Sequence, residues 1–159
     1  MPTLVLGVGN PLMSDDGVGL RIMEALAALQ PALDDVEYLD AGTLSLLLLP
    51  RFEHCDALLV LDAAQLGDAP GEVRVLLDRE MDFFFRNARG SVHEVGIRDL
   101  LDAARLTGTL PPRRAFVGVQ PGRVALGQSL SLAVQSSLAT AVAHAREILD
   151  TWRSGAPLP

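Results

Sequence analysis

Three aspartates stand where an apolar run gives way to a loop. Asp16 follows the run Leu4–Val8, Asp40 ends the run Val36–Leu39, and Asp62 ends the run Ala57–Leu61. If these runs are neighbouring parallel strands, all three carboxylates face one crevice, because ligands in open α/β sheets bind outside the carboxyl ends of the strands. Like charges a few ångströms apart repel by roughly 1–4 kcal/mol per pair. A cation or a shared proton relieves that repulsion. Any one of the three, taken alone, is equally well explained as a helix cap or a turn residue. Their recurrence at successive strand ends makes Asp16, Asp40 and Asp62 the candidate catalytic set.

His93 adds a nitrogen. It falls in the stretch Gly90–Glu94, which reads as an irregular loop before a helix over Val95–Leu106. Two carboxylates and an imidazole are a donor set for a borderline divalent metal such as zinc or nickel. A lone loop histidine is usually inert, however. His54, which precedes a strand, and His144, on the C-terminal helix, are weaker candidates. The glycines after the first strand do not make a dinucleotide site. Gly7-Val8-Gly9-Asn10-Pro11-Leu12 lacks the third glycine of that fingerprint, and Asp15 and Asp16 would repel a phosphate. There is no G-x-S-x-G elbow and no H-E-x-x-H helix. Cys55 opens an apolar strand and reads as a small core residue.

The elements that must position these groups alternate. Strands are predicted at Leu4–Val8, Val36–Leu39, Ala57–Leu61, Glu72–Leu77 and Ala115–Val119. Helices are predicted at Val18–Leu29, Val95–Leu106 and Leu130–Trp152. Ala41-Gly42-Thr43 reads as a turn, Leu44–Leu49 as a short helix stopped by Pro50, and Met81–Phe85 as a short helix or loop. The link between the third and fourth strands is too short for a parallel crossover, so one strand runs antiparallel. The expectation is a three-layer α/β/α sandwich on a five-stranded, mostly parallel sheet. It forms one domain over residues 1–153, with a frayed tail over 154–159.

The bulk numbers narrow the function. The 159 residues carry a formal charge of −7, which disfavours nucleic acid and anionic membranes as partners. Hydrophobic residues make up 49% of the chain, enough for a core but without a run long enough to span a membrane. No signal-peptide pattern opens the chain, and the single cysteine excludes an internal disulfide. A cytoplasmic protein is expected.

The motifs together resemble a known family, the hydrogenase maturation endopeptidases. The opening pattern G-[IV]-G-N-x-L-x-x-[DE]-[DE]-x-x-G is matched from Gly7 to Gly19. The D-G-G-T turn is matched by Asp40-Ala41-Gly42-Thr43, and the strand ending in D-A by Leu58–Ala63. The H-x-x-G-[IL] segment is matched by His93–Ile97, and the V-G-[VI]-x-P strand by Val117–Pro121. Position 16 is Asp where many members have Glu, and Ala41 replaces the first glycine of D-G-G-T.

The resemblance implies a strand order 2-1-3-5-4 and metal contacts at Asp16, Asp62 and His93, with Asp40 near the site. It implies an endopeptidase that removes the C-terminal extension of a nickel–iron hydrogenase large-subunit precursor after nickel insertion. The nickel is brought by the substrate, and cadmium or zinc substitutes for it in vitro. Two other readings compete: an independent zinc-dependent peptidase or amidohydrolase, and a nucleotide-binding module, which the broken glycine spacing disfavours.

Overall fold

The computed structural model describes residues 2–42, 46–88, 90–156 and 158. Two strands lie inside the sheet because, Thr3 and Asp62 apart, their residues are apolar enough to be buried on both faces. In β1 (Thr3–Val8) and β3 (Ala57–Ala63) no residue is exposed. Parallel strands covered on both sides read as such continuous apolar runs. β2 (Val36–Gly42), β4 (Val73–Leu77) and β5 (Arg113–Val119) complete a sheet of order β2-β1-β3-β5-β4. All pairs are parallel except β4 with β5. The short β3–β4 link therefore does what its length requires.

Side chains alternate between two layers. Val5, Leu59, Leu61 and Val117 face α1 (Val18–Ala27) and α5 (Leu132–Ser154). Leu4, Leu6, Leu58, Val60 and Phe116 face α2 (Leu49–Phe52), α3 (Asp78–Asn87) and α4 (Val92–Thr107). The chain leaves β1 for β2 on one side and returns past β1 to β3 on the other. The strand order thus reverses between β1 and β3, which is where ligands enter folds of this kind.

Several boundaries differ from the sequence reading. β2 continues past Asp40 to Gly42, with a bulge opposite Gly7 and Val8. Of the predicted helix Leu44–Leu49, residues 44 and 45 lie outside the described residues, as does Thr43 of the predicted turn. Leu46–Leu48 form one 3-10 turn, and Pro50 lies in the first turn of α2. Proline there starts a helix rather than stopping it, since the N–H it lacks has no partner in a first turn. α3 is a full helix of ten residues. α5 runs on through Ser154 to a left-handed Gly155, and Leu158 packs against the α1/α5 layer, so the expected tail is partly structured.

Candidate functional site

The loop after β1 is drawn tightly onto the sheet by glycines. A Cβ on Gly9 would lie 1.9 Å from the Asp16 carbonyl oxygen, and one on Gly19 would lie 2.2 Å from that of Leu61. Gly9 also has φ +126°, a region side chains rarely adopt. The glycines that resemble a phosphate loop thus serve close packing at the β1/β3 switch point. The packed segment is a 3-10 turn, Ser14–Gly17, which carries Asp16. The backbone N–H of Asn10 donates to Asp16 Oδ2 at 3.1 Å.

Asp62 lies one residue before the end of β3. It shares the parity of Leu58 and Val60, so it points toward the α4 layer. There it meets His93. The imidazole stands between the two carboxylates, with Nδ1 3.5 Å from Asp62 Oδ1 and Nε2 3.5 Å from Asp16 Oδ2. Both separations exceed the usual range for a good hydrogen bond. Asp62 has no exposed surface, and His93 is 8% exposed. Both Asp62 oxygens and His93 Nδ1 are buried without a hydrogen-bond partner. Burial drives the Asp62 carboxyl up to about 6; the neighbouring His93 opposes this and the Asp16 charge adds to it. The facing Asp62 carboxylate holds the His93 imidazole above its ordinary value, against burial.

Such atoms are rare in a folded interior, because an unpaired buried polar group is costly. A buried carboxylate and an imidazole left in this condition, with the Asp16 carboxylate beside them, suit a divalent cation. Among the described residues, however, no group of three His, Cys, Asp or Glu side chains is already gathered to hold a metal ion. The two carboxylates face opposite edges of the same ring.

The structure therefore brings Asp16, Asp62 and His93 together. Asp40 is placed at the same end of the sheet, opposite Gly7 in the β1–β2 register. Its side chain is exposed and accepts a bond from the Gly42 N–H at 2.8 Å. His93 itself lies not in a loop but in the first turn of α4. The signal was present in the sequence. Ser91-Val92-His93-Glu94 has the S-x-x-E pattern of a helix start, and the Ser91 hydroxyl accepts from Glu94 N at 3.4 Å.

A second set of polar residues was not singled out at all. Glu94, 2% exposed, accepts from the Gln65 N–H at 2.9 Å. Gln120 accepts from Leu66 N–H at 2.7 Å and donates to Gln65 Oε1 at 3.0 Å. These bonds fasten the end of β3 to the start of α4 and the end of β5, holding Asp62 and His93 face to face. A broad groove of about 1080 Å³ between α1 and α5, lined by Leu29, Leu138 and Val142 among others, includes none of the three site residues.

Residues 20–148 match the family model described as "Hydrogenase maturation protease". The chain belongs to the hydrogenase maturation protease family. Relatives within the family agree along almost the whole of this chain. The Hydrogenase 2 maturation protease of Escherichia coli (strain K12) is 37% identical over 152 residues, 92% of each chain. The Hydrogenase expression/formation protein HupD of Rhodobacter capsulatus is 37% identical over 150 residues, 94% of this chain and 71% of that one. Among solved structures, the hydrogenase maturating endopeptidase HybD from E. coli superposes with a TM-score of 0.87 at 35% identity, covering 98% of this chain and 94% of that one. The strand order and the antiparallel β4 are thus those of a hydrogenase maturation protease.

Proposed function

We propose that this protein is the endopeptidase that trims the C-terminal extension from a nickel–iron hydrogenase large-subunit precursor in the cytoplasm, after nickel has been inserted. Asp16, Asp62 and His93 read the substrate's nickel. The observation that carries this is the buried, unpartnered Asp62 carboxylate facing an unpartnered His93 nitrogen, 3.5 Å away, at the switch point of the sheet. Carboxylate and imidazole together suit a borderline cation such as nickel. The donor set is not closed around one point, which suits a cation that arrives already held by the substrate's own ligands. A zinc site owned by the enzyme would call for three protein donors converging in advance.

A bound divalent cation supplies Lewis acidity toward a neighbouring carbonyl. The chain's own contribution is to orient that cation and exclude water around Asp62. Asp40, solvated at the same end of the sheet, is assigned as the carboxylate that accepts a proton from the attacking water.

The test offers the protein an unrelated unfolded protein, a nickel-free precursor and a nickel-loaded precursor. Only the last is expected to be trimmed, and serine- or thiol-directed inhibitors should not prevent it. Asp16→Asn and His93→Ala should each abolish trimming without unfolding the protein. Digestion of the unrelated protein, or equal cleavage of the nickel-free precursor, would overturn the proposal. Titration with nickel(II), cadmium(II) and zinc(II) then ranks which metals the site accepts alone.

A further inference from the structure

Asp15 and Asp16 are consecutive carboxylates in one 3-10 turn, yet they have opposite surroundings. Asp16 points into the site, with its side chain 18% exposed. Asp15 is turned away from it and has no exposed surface. Its carboxylate accepts four hydrogen bonds from a segment more than a hundred residues later. Oδ2 takes the backbone N–H of Gly122 at 2.9 Å, that of Arg123 at 2.7 Å and the Ser131 hydroxyl at 2.7 Å. Oδ1 takes the Ser131 N–H at 2.7 Å. The backbone adds to the clamp. Asp15 N–H donates to the Arg123 carbonyl, Ser14 N–H to that of Gly127, and Gly127 N–H to that of Leu12. The Ser14 hydroxyl reaches the Ala125 carbonyl at 2.8 Å.

We propose that Asp15 is a positioning residue for Asp16: its four-bonded carboxylate locks the 3-10 turn against the Gly122–Ser131 segment, and that lock sets the direction in which Asp16 points. The inference rests on the reading of Asp16 as a nickel contact. A charged carboxylate is the group the geometry demands, because all four of its partners are donors. An amide at this position turns an NH₂ toward N–H groups and breaks at least one bond on Oδ2 or Oδ1. Besides the turn, Asp16 is held by the Asn10 N–H, by the close seat at Gly9 and by its contact with His93. Small errors in the placement of a contact are costly to a reaction, so a loosened turn is expected to act through Asp16 rather than only on stability.

The experiment uses Asp15→Asn in the full chain, with two readouts. The first is trimming of the nickel-loaded precursor, expected to slow by about 10- to 100-fold. The second is the visible spectrum of cobalt(II) added alone, which reports the ligands around the metal. In Asp15→Asn it is expected to shift toward the spectrum of Asp16→Asn. A folded Asp15→Asn that trims at the parental rate overturns the inference. So does slower trimming with an unchanged cobalt spectrum, which would make Asp15 a plain staple of the fold. If Asp15→Asn does not fold, Ser131→Gly carries the same test. It removes one of the four bonds and keeps a residue tolerated at a helix N-cap, and it should move both readouts in the same direction by less. A parent that trims no precursor overturns the functional reading, and this inference with it.

Discussion

At the scale of the residue, Asp62 is held in conditions that cost stability. An aspartate in an unfolded chain titrates near ~3.9, whereas Asp62 in the fold titrates at about 6. Between those values the folded protein holds a proton that the unfolded chain has released. Stability therefore falls as pH rises through that window, and below it the cost is absent. His93 acts in the same direction. Its folded value is raised, so its contribution is complete below its unfolded value and is lost as pH rises through the folded one. Asp15 acts oppositely. Burial raises its carboxyl, but the bonds from Ser131, Arg123 and Gly122 outweigh this and hold it low, so its contribution is lost only as pH falls. The urea midpoint of the parent is thus expected to decline from pH 5 to pH 8. Asp62→Asn, which keeps the shape and removes the buried charge, should flatten that decline and be at least as stable as the parent at pH 8, while losing activity. The gain is on the order of 1–3 kcal/mol. An Asp62→Asn protein clearly weaker than the parent at pH 8 would show that the carboxylate has a stabilising partner in the fold.

At the scale of the element, what was legible and what was not divide by how much of the signal is local. β1 and β3 announce themselves, since six or seven consecutive buried residues leave no other reading. Asp16 and Asp62 were legible for the same reason, as they are polar residues just beyond or at the end of such strands. α3 was half-seen because its apolar residues are few and Phe83 points to solvent, 67% exposed. What holds it is distant. Asp78 accepts from Arg114 N at 2.8 Å, and Asp82 takes a two-pronged contact from the Arg114 guanidinium at 3.1 and 2.9 Å. Sequence spacing gives no hint of pairs 32 and 36 residues apart. The Glu94–Gln65–Gln120 bonds were invisible for the same reason. The glycines mark a third case: the sequence excluded a dinucleotide site at them, but their close packing shows only once their neighbours are placed. Gly19→Ala tests their role. Alanine favours a helix, yet its methyl would lie 2.2 Å from the Leu61 oxygen and 2.5 Å from that of Val8. The expected result is a net loss of about 1–3 kcal/mol by urea denaturation, because the obstacle is backbone and cannot swing aside. Unchanged stability would mean that α1 shifts freely on β1 and β3.

At the scale of the whole molecule, the site draws on distant stretches of chain. Asp16 comes from the loop after β1, Asp62 from β3, His93 from α4, and the clamp on Asp15 from the segment that leads into α5. Such a construction is expected to unfold in one step, since no piece keeps its partners without the others. The chain reports on this by itself. Its single tryptophan, Trp152, is 4% exposed near the end of α5. Its fluorescence should follow the same urea curve as the far-ultraviolet circular dichroism of the whole fold. Two separated transitions would show that α5 detaches before the sheet and that the protein is not a single cooperative domain.

The same long reach sets a timetable during synthesis. Asp15 is made 116 residues before Ser131, and chains emerge from the ribosome at about 5–20 residues per second. Asp16, Asp62 and His93 have all been made by the time the segment that clamps Asp15 begins to appear. For several seconds a newborn chain carries every proposed nickel contact with the turn that aims one of them still loose. If Asp15 sets the aim of Asp16 as proposed, a maturation enzyme whose proposed substrate must be finished before it is cut is itself unready to cut until the segment leading into α5 has been made.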